Sequence, residues 1–384
     1  MEFIMAYALI NPNIISWAIK RSGLAMSDIS KKLSIKEENL TEIEQGKANI
    51  AFGKAKQFAN ITNIPFGFLF LNEVPEEESL ELPDLRTIDS KDLGEPSQAL
   101  KEVIRLNQER VEWYRAYLSE LGVEGNSYVG SLSKAKIDEM VAFLAEKLIV
   151  HKVKDAKDYY RQLVKSIEAL GVMVIQDSNL GHHTKPLNIE EFRGFAIADD
   201  VAPLIFVNTA DSLNAQLFTL IHELAHILKG ESGISDNSVS SINPTEQFCN
   251  AVTGEFLVPK KEFAKQWNSL DEANIEVAFD TLAKSFYVSR HVIARRALTL
   301  SYVDKQRYEN YINKIREEHL SNKKKSDSGP SYYVVKNAKL SSQLSQAVVS
   351  QSLSGKMLYR DAGYILGINP SNIEKFAQNV GIKL

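Results

Sequence analysis

The stretch LFTLIHELAHILKG, residues 217–230, constrains this chain more than any other. Apolar Leu217, Leu220, Ile221, Leu224, Ile227 and Leu228 recur at steps of three and four, which predicts a buried amphipathic helix ending near Gly230. Set into that apolar frame are His222, Glu223 and His226. An uncommitted His-Glu-His cluster is costly to bury, because each polar group removed from water needs a partner. Residues four apart stack on one helix face, so both imidazoles can reach one Zn²⁺ at about 2.0–2.1 Å. Glu223 is offset from His222 by about 100°. Its carboxylate can then sit beside a water on such an ion without ligating, as a general base requires. The competing reading is a buried helix whose two histidines merely satisfy polar partners.

Composition narrows the ligand set. Cys249 is the only cysteine, so a disulfide framework and a cysteine-based zinc cluster are excluded, and a metal must be held by His and carboxylates. A catalytic zinc usually takes three protein ligands and keeps one position for water. Downstream, NPTEQFCNAVTGEFLVP (243–259) offers Glu246 in the first turn of a second helix, with Thr245 as its expected N-cap and Phe248, Val252, Phe256 and Leu257 as its apolar stripe. Asn250, one turn on and on the same face, is placed to hydrogen-bond the outer nitrogen of a zinc-bound histidine. The plainer alternatives are a glutamate favoured by the helix dipole and an ordinary exposed asparagine.

The chain has 384 residues, enough for two or three domains. The predicted organisation is a helix-turn-helix domain over 1–72, an acidic linker and connecting helix over 73–133, a metallopeptidase-like domain over 134–318, a linker over 319–330 and a helical unit over 331–384. Residues 9–71 read as short packed helices, the second near Ser27–Leu33 and the third near Glu37–Gln45, with Gly46 as its cap. A long amphipathic helix is expected over Gln98–Gly122. Helices at Lys136–Leu148 and Ala156–Leu170 alternate with β-like runs at 172–176, 193–198 and 203–208, an α+β pattern. The last unit shows helical segments around Met357–Leu366 and Pro370–Val380. The net charge of -4 argues against a whole-molecule grip on nucleic acid. No run is long and apolar enough to cross a bilayer, so a cytoplasmic location is expected.

Two resemblances rest on these residues. The stretch from KRSGLAMSDISKK to NIPFGFLF is similar to phage-repressor (XRE-type) helix-turn-helix domains, here expected with five helices, and the resemblance implies that the third helix reads DNA. That helix carries Glu37, Glu38, Glu42 and Glu44, which oppose phosphate contact; a protein-docking role is the alternative. The blocks FTLIHELAH (218–226) and EQFCNAVTGEFLVP (246–259) resemble the ImmA/IrrE-type (M78-like) zinc metallopeptidases. Departures at Cys249, Val252 and Thr253-Gly254 concern packing.

The second resemblance implies a zincin-like domain with a small β-sheet, Zn²⁺ held by His222, His226 and Glu246, and Glu223 as the catalytic base. A second oxyanion donor is usual, and Tyr287, His291, Arg193 and the pair His182-His183 stay open for it. The implied partners are a protein substrate, such as a repressor or toxin encoded nearby, and DNA through 9–71, with no membrane; self-association is left open. The basic stretch 278–300, with Arg290, His291, Arg295 and Arg296, reads either as a further DNA-contacting helix pair or as a helical extension of the peptidase domain. The expected function is a zinc endopeptidase acting on a protein regulator. The alternative is a DNA-binding regulator or antitoxin that works by binding, its zinc site structural or conditionally active.

Overall fold

A computed structural model describes residues 7–62, 64–75, 96–178, 187–235, 243–270, 275–321 and 340–382. The fold is α+β and mostly helical, as expected. Its described residues form two compact units, one up to residue 102 and one from 103 onward. The expected linker residues 322–330 and most of the acidic connector, 76–95, lie outside the described residues.

In the first unit, β1 (Tyr7–Ala8) is followed by α1 (Pro12–Ser22), α2 (Met26–Leu33), α3 (Glu37–Glu44), β2 (Ile50–Ala51) and α4 (Phe52–Thr62). Helix α1 starts where the Asn11 side chain accepts from the Asn13 N–H, with Pro12 at the first helical position, and it stops at Gly23, whose φ is 62°. The core is Ile14, Ile15, Ala18, Ile29, Leu33, Leu40 and Phe58, all fully buried. The α2–α3 pairing falls where the sequence predicts it. Two details differ. The expected fifth helix is a 3-10 turn at Phe66–Phe70, and α3 is capped by Gln45, one residue before Gly46. Glu37, Glu38 and Glu42 are exposed on α3, while half-buried Glu44 accepts from the Ser16 hydroxyl at 3.0 Å.

Helix α5 (Gln98–Glu120) runs into the second unit, which continues with α6 (Ile137–Lys147), α7 (Ala156–Ala169), β3 (Met173–Asp177), β4 (Gly194–Ile197), β5 (Leu204–Asn208), α8 (Leu213–Lys229) and β6 (Gly233–Ser235). Then come α9 (Pro244–Leu257), α10 (Lys260–Trp267), α11 (Ile275–Phe286), α12 (Arg290–Thr299) and α13 (Lys305–Ser321). The sheet order is β3-β5-β4-β6, with β5 parallel to β3 and antiparallel to β4, and β6 antiparallel to β4. Every residue of β5 is buried, which is why LIFVN reads as an unbroken apolar run. Phe195 of β4 stacks on its cross-strand partner Phe206 at 4.9 Å between centroids.

Helix α8 packs on β4 and β5 and against α7 and α9. It starts at Leu213, ahead of the apolar block, because Ser212 caps it by accepting from the Ala215 N–H. Its C-terminal carbonyls are bonded by an upstream loop: the Gly130 N–H donates to Ile227 O at 3.1 Å and the Leu132 N–H to Leu228 O at 2.9 Å. A Cβ on Gly230 would lie 3.0 Å from the Gly130 Cα, so a close backbone approach seals the helix end. Residues 126–132, expected to belong to a connector, are therefore part of the packing around α8.

The chain ends in three helices, α14 (Ser342–Leu353), α15 (Tyr359–Leu366) and α16 (Ile373–Asn379), where the sequence shows two. They dock within the second unit. The Glu168 carboxylate at the end of α7 accepts from the Ser342 N–H at 3.0 Å, and the Gln343 side chain donates to Glu168 O at 2.6 Å. Buried Arg110 of α5 donates to Ile365 O at 2.9 Å.

Candidate metal centre

The centre is built on two helices. On α8, His222 and His226 are each 3% exposed and Glu223 is fully buried. Helix α9 brings Glu246 to them from its first turn. The cap of α9 is Asn243 rather than Thr245: its side chain accepts from the Thr245 N–H at 2.8 Å, and Pro244 occupies the first helical position, where its fixed φ is already helical.

The three side chains meet at their tips. His222 Nε2 and His226 Nε2 are 3.1 Å apart; Glu246 Oε2 lies 3.1 Å from the first and Oε1 3.0 Å from the second. Among the described residues these three are the one His/Cys/Asp/Glu group that could hold a metal ion. The donor set supports it. Four ligands at about 2.0–2.1 Å in tetrahedral array sit about 3.3 Å from one another, close to the separations seen. Lone pairs crowded this closely need positive charge between them; a proton can serve one contact, whereas a metal ion serves all three.

The electrostatics match that crowding. Burial works against charge on His226, but contacts with the Cys249 thiol and the Glu246 carboxylate outweigh it and hold its pKa well above the usual imidazole value. Burial would raise Glu246, yet hydrogen bonds to both imidazoles hold its carboxyl far below the carboxylate range. Burial pushes the Cys249 thiol up, which keeps it neutral.

The expected bond from Asn250 is not made. Neither His222 Nδ1 nor His226 Nδ1 has a hydrogen-bond partner among the described residues. The side chain of α9 that interacts with His226, besides Glu246, is Cys249, one residue before Asn250. A further residue was missed by sequence reasoning: Gly194, the first residue of β4. A Cβ there would lie 2.5 Å from Thr219 Cγ2, 2.7 Å from Phe206 O and 3.2 Å from Glu223 Oε1. Only glycine lets the strand pass this close to Glu223, and the one signal in the sequence is a glycine opening an apolar run.

Among the described residues, none of the expected oxyanion donors joins the three-residue group. Arg193 pairs with Asp211 at 3.5 Å. Tyr287, at a left-handed φ of 56°, packs its ring on Tyr159 at 5.8 Å, and His291 lies half-buried on α12. His182 and His183 lie outside the described residues. In the basic stretch, Arg296 is buried, donating to Val258 O at 3.0 Å and pairing with Glu255, and Arg290 pairs with Asp280 at 2.8 Å. Those arginines hold α9, α11 and α12 together, which favours the helical-extension reading of 278–300.

An HExxH helix lying on a small mixed sheet, with a carboxylate supplied by the next helix, is the arrangement of a metallopeptidase domain. Residues 168–298, about a third of the chain, match the family model described as the IrrE N-terminal-like domain, Peptidase M78. Residues 340–379 match a second model, described as a domain of unknown function (DUF8813). No curated protein and no solved structure matches the chain. Among the described residues, no helix is long and apolar enough to cross a membrane.

Proposed function

We propose that the chain is a zinc-dependent endopeptidase that cuts a protein regulator, a repressor or toxin encoded nearby. The observation that carries this is the convergence of His222, His226 and Glu246 beside Glu223, inside the peptidase-family match. Three protein donors leave one position of a tetrahedral ion open, whereas structural zinc sites are closed by four. When bound, a zinc ion there supplies Lewis acidity, lowering the pKa of a water and polarising the scissile carbonyl. His222, His226 and Glu246 hold it. Glu223 accepts the proton of the attacking water on a carboxylate oxygen and hands it to the amide nitrogen of the departing chain. The backbone of Gly194 passes close to that carboxylate, at a spot where a Cβ would lie 3.2 Å from Glu223 Oε1, and limits where it can move.

In this reading the first unit is a docking module. The exposed carboxylates of Glu37, Glu38 and Glu42 repel the phosphates that a DNA-reading α3 would have to approach. The test is Glu223→Gln, mixed with the neighbouring repressor or toxin. Zinc content should stay at the wild-type level while cleavage falls by about 10²–10⁴-fold, the usual worth of a general base. Cleavage at the wild-type rate would remove Glu223 from the chemistry.

A further inference from the structure

We propose that the C-terminal helices α14–α16 form a helix-turn-helix that binds duplex DNA, with α16 as the helix that enters the major groove. The proposal is independent of the metal centre.

Charge is the first observation. The whole chain carries a formal -4, yet residues 321–384 contain nine Lys and Arg against three Asp and Glu. Three of the nine, Lys356, Arg360 and Lys375, belong to the described helices and their turns, beside Asp361 and Glu374, so this helical unit has a small positive balance in a chain that is acidic overall.

Geometry is the second. Helix α15 ends at Gly367, with φ of 62°, and the Ile368 N–H turns back to Gly363 O at 2.9 Å. Asn369 then caps the next turn, accepting from the Ser371 N–H at 3.0 Å, and a 3-10 turn at Pro370–Asn372 leads into α16. A Cβ on Gly363 would lie 2.8 Å from Ile368 O and 3.0 Å from Pro370 Cγ, so the connection folds tightly against α15. Two helices joined by a short glycine-containing turn and braced by a third are the elements of this motif. Ile373, Phe376 and Ala377 are fully buried, which fixes the opposite face of α16 outward.

That outward face has the right chemistry. Ser371, Glu374, Lys375, Gln378 and Asn379 are exposed. Gln and Asn can pair bidentately with adenine, and Ser and Lys with base edges or phosphate. The single carboxylate, Glu374, accepts from the Tyr359 hydroxyl at 3.3 Å. Lys356 precedes α15 and Arg360 lies in its first turn, both exposed, where the first helix of such a motif crosses the phosphate backbone. Arg360 pairs with Asp361 at 3.0 Å through its Nε, an exposed contact that a phosphate would have to replace or share. Helix α3 of the first unit shows three exposed glutamates in the corresponding place. The mount is firm, because Arg110 and Glu168 tie α15 and α14 to the rest of the second unit.

The test uses the full chain and a random-sequence duplex of about 20 base pairs, roughly two turns, read by fluorescence anisotropy over a salt series. Wild type should bind with a Kd of about 10⁻⁶–10⁻⁴ M, weakening steeply with salt. Arg360→Gln with Lys375→Gln should weaken binding at least about tenfold and flatten the log–log salt slope by about two. Both side chains are exposed, and an unchanged thermal midpoint shows the variant is folded. Lys31→Gln with Lys32→Gln on α2 should bind like wild type. The proposal is overturned if wild type does not bind, which would leave α16 a protein-docking face, or if the Arg360/Lys375 variant binds normally. It is equally overturned if replacing Lys323, Lys324 and Lys325 by Gln abolishes binding while the helix variant retains it.

Discussion

Replacing Gly194 by alanine tests the proposed packing around Glu223 without needing a substrate. The added methyl would sit 2.5 Å from Thr219 Cγ2, 2.7 Å from Phe206 O and 3.2 Å from Glu223 Oε1. Carbon atoms prefer separations of about 3.5–4.0 Å, so the overlap is about 1 Å against two neighbours. The Phe206 carbonyl belongs to the β4–β5 pairing and cannot swing away. The strand must therefore lift from α8. Overpacking of this kind costs about 1–3 kcal/mol, and with a backbone atom as one wall the upper half of that range is expected. Urea unfolding followed through Trp267, buried in the second unit beside Phe263 and Phe279, should show a midpoint lower by about 1 M for a slope of about 2–3 kcal/mol/M. Zinc content should persist, since the ligands sit on α8 and α9, while cleavage should fall by about a hundredfold if Glu223 moves by about 1 Å. Thr219→Ser removes one of the two walls and should restore only part of the loss. An unchanged midpoint for Gly194→Ala, or full rescue by Thr219→Ser, would refute the reasoning.

Glu246→Ala should lower zinc affinity by more than about a hundredfold, since loss of an outer partner alone costs about 10–100-fold; competition with a chromophoric chelator measures it, and an unchanged affinity would remove Glu246 from the site. Chelating the zinc should lower the thermal midpoint, because free ion at about 1,000 times its Kd stabilises by about 4 kcal/mol; a midpoint indifferent to chelator would argue against a folded-state metal. Burial pushes the Tyr114 and Tyr159 hydroxyls up to about 12 from an ordinary 10. Their pKa values are raised in the folded state, so the stability they contribute is complete below pH 10 and is lost as pH climbs through 12. The denaturant midpoint should drop across that window, and the drop should shrink in Tyr114→Phe with Tyr159→Phe; an equal drop in wild type and variant would contradict the burial argument.

The legible parts of this protein are those whose signal is local. Helix α8 declares itself because its apolar period and its cap and stop residues lie within the helix and beside it. Strand β5 is legible for a similar reason: burial on both faces makes its run continuously apolar. Helix α14 is not legible in the sequence, since SQLSQAVVSQSL is rich in serine and glutamine and its apolar stripe becomes meaningful only against α15 and α16. Strand β6 has three residues and no pattern; it forms because β4 offers it an edge. At α9 the cap moved from Thr245 to Asn243 because proline at the first helical position outweighed the hydroxyl.

The sequence by itself determined that two imidazoles share one face of a buried helix, with a carboxylate beside them, because the helical period fixes neighbours three and four apart wherever the helix lies. It also determined that cysteine cannot supply the ligands. Only the tertiary structure decided that Glu246, on the next helix, comes within 3.0–3.1 Å of both nitrogens, that Asn250 makes no bond to them, and that Gly194 lies against Glu223. Such distances between elements are set by how helices and strands pack across the sheet, and no residue spacing encodes them. The charge balance shows the same division: its sum is read from composition, but which exposed helix face carries glutamates and which carries lysine, glutamine and asparagine depends on what each helix buries.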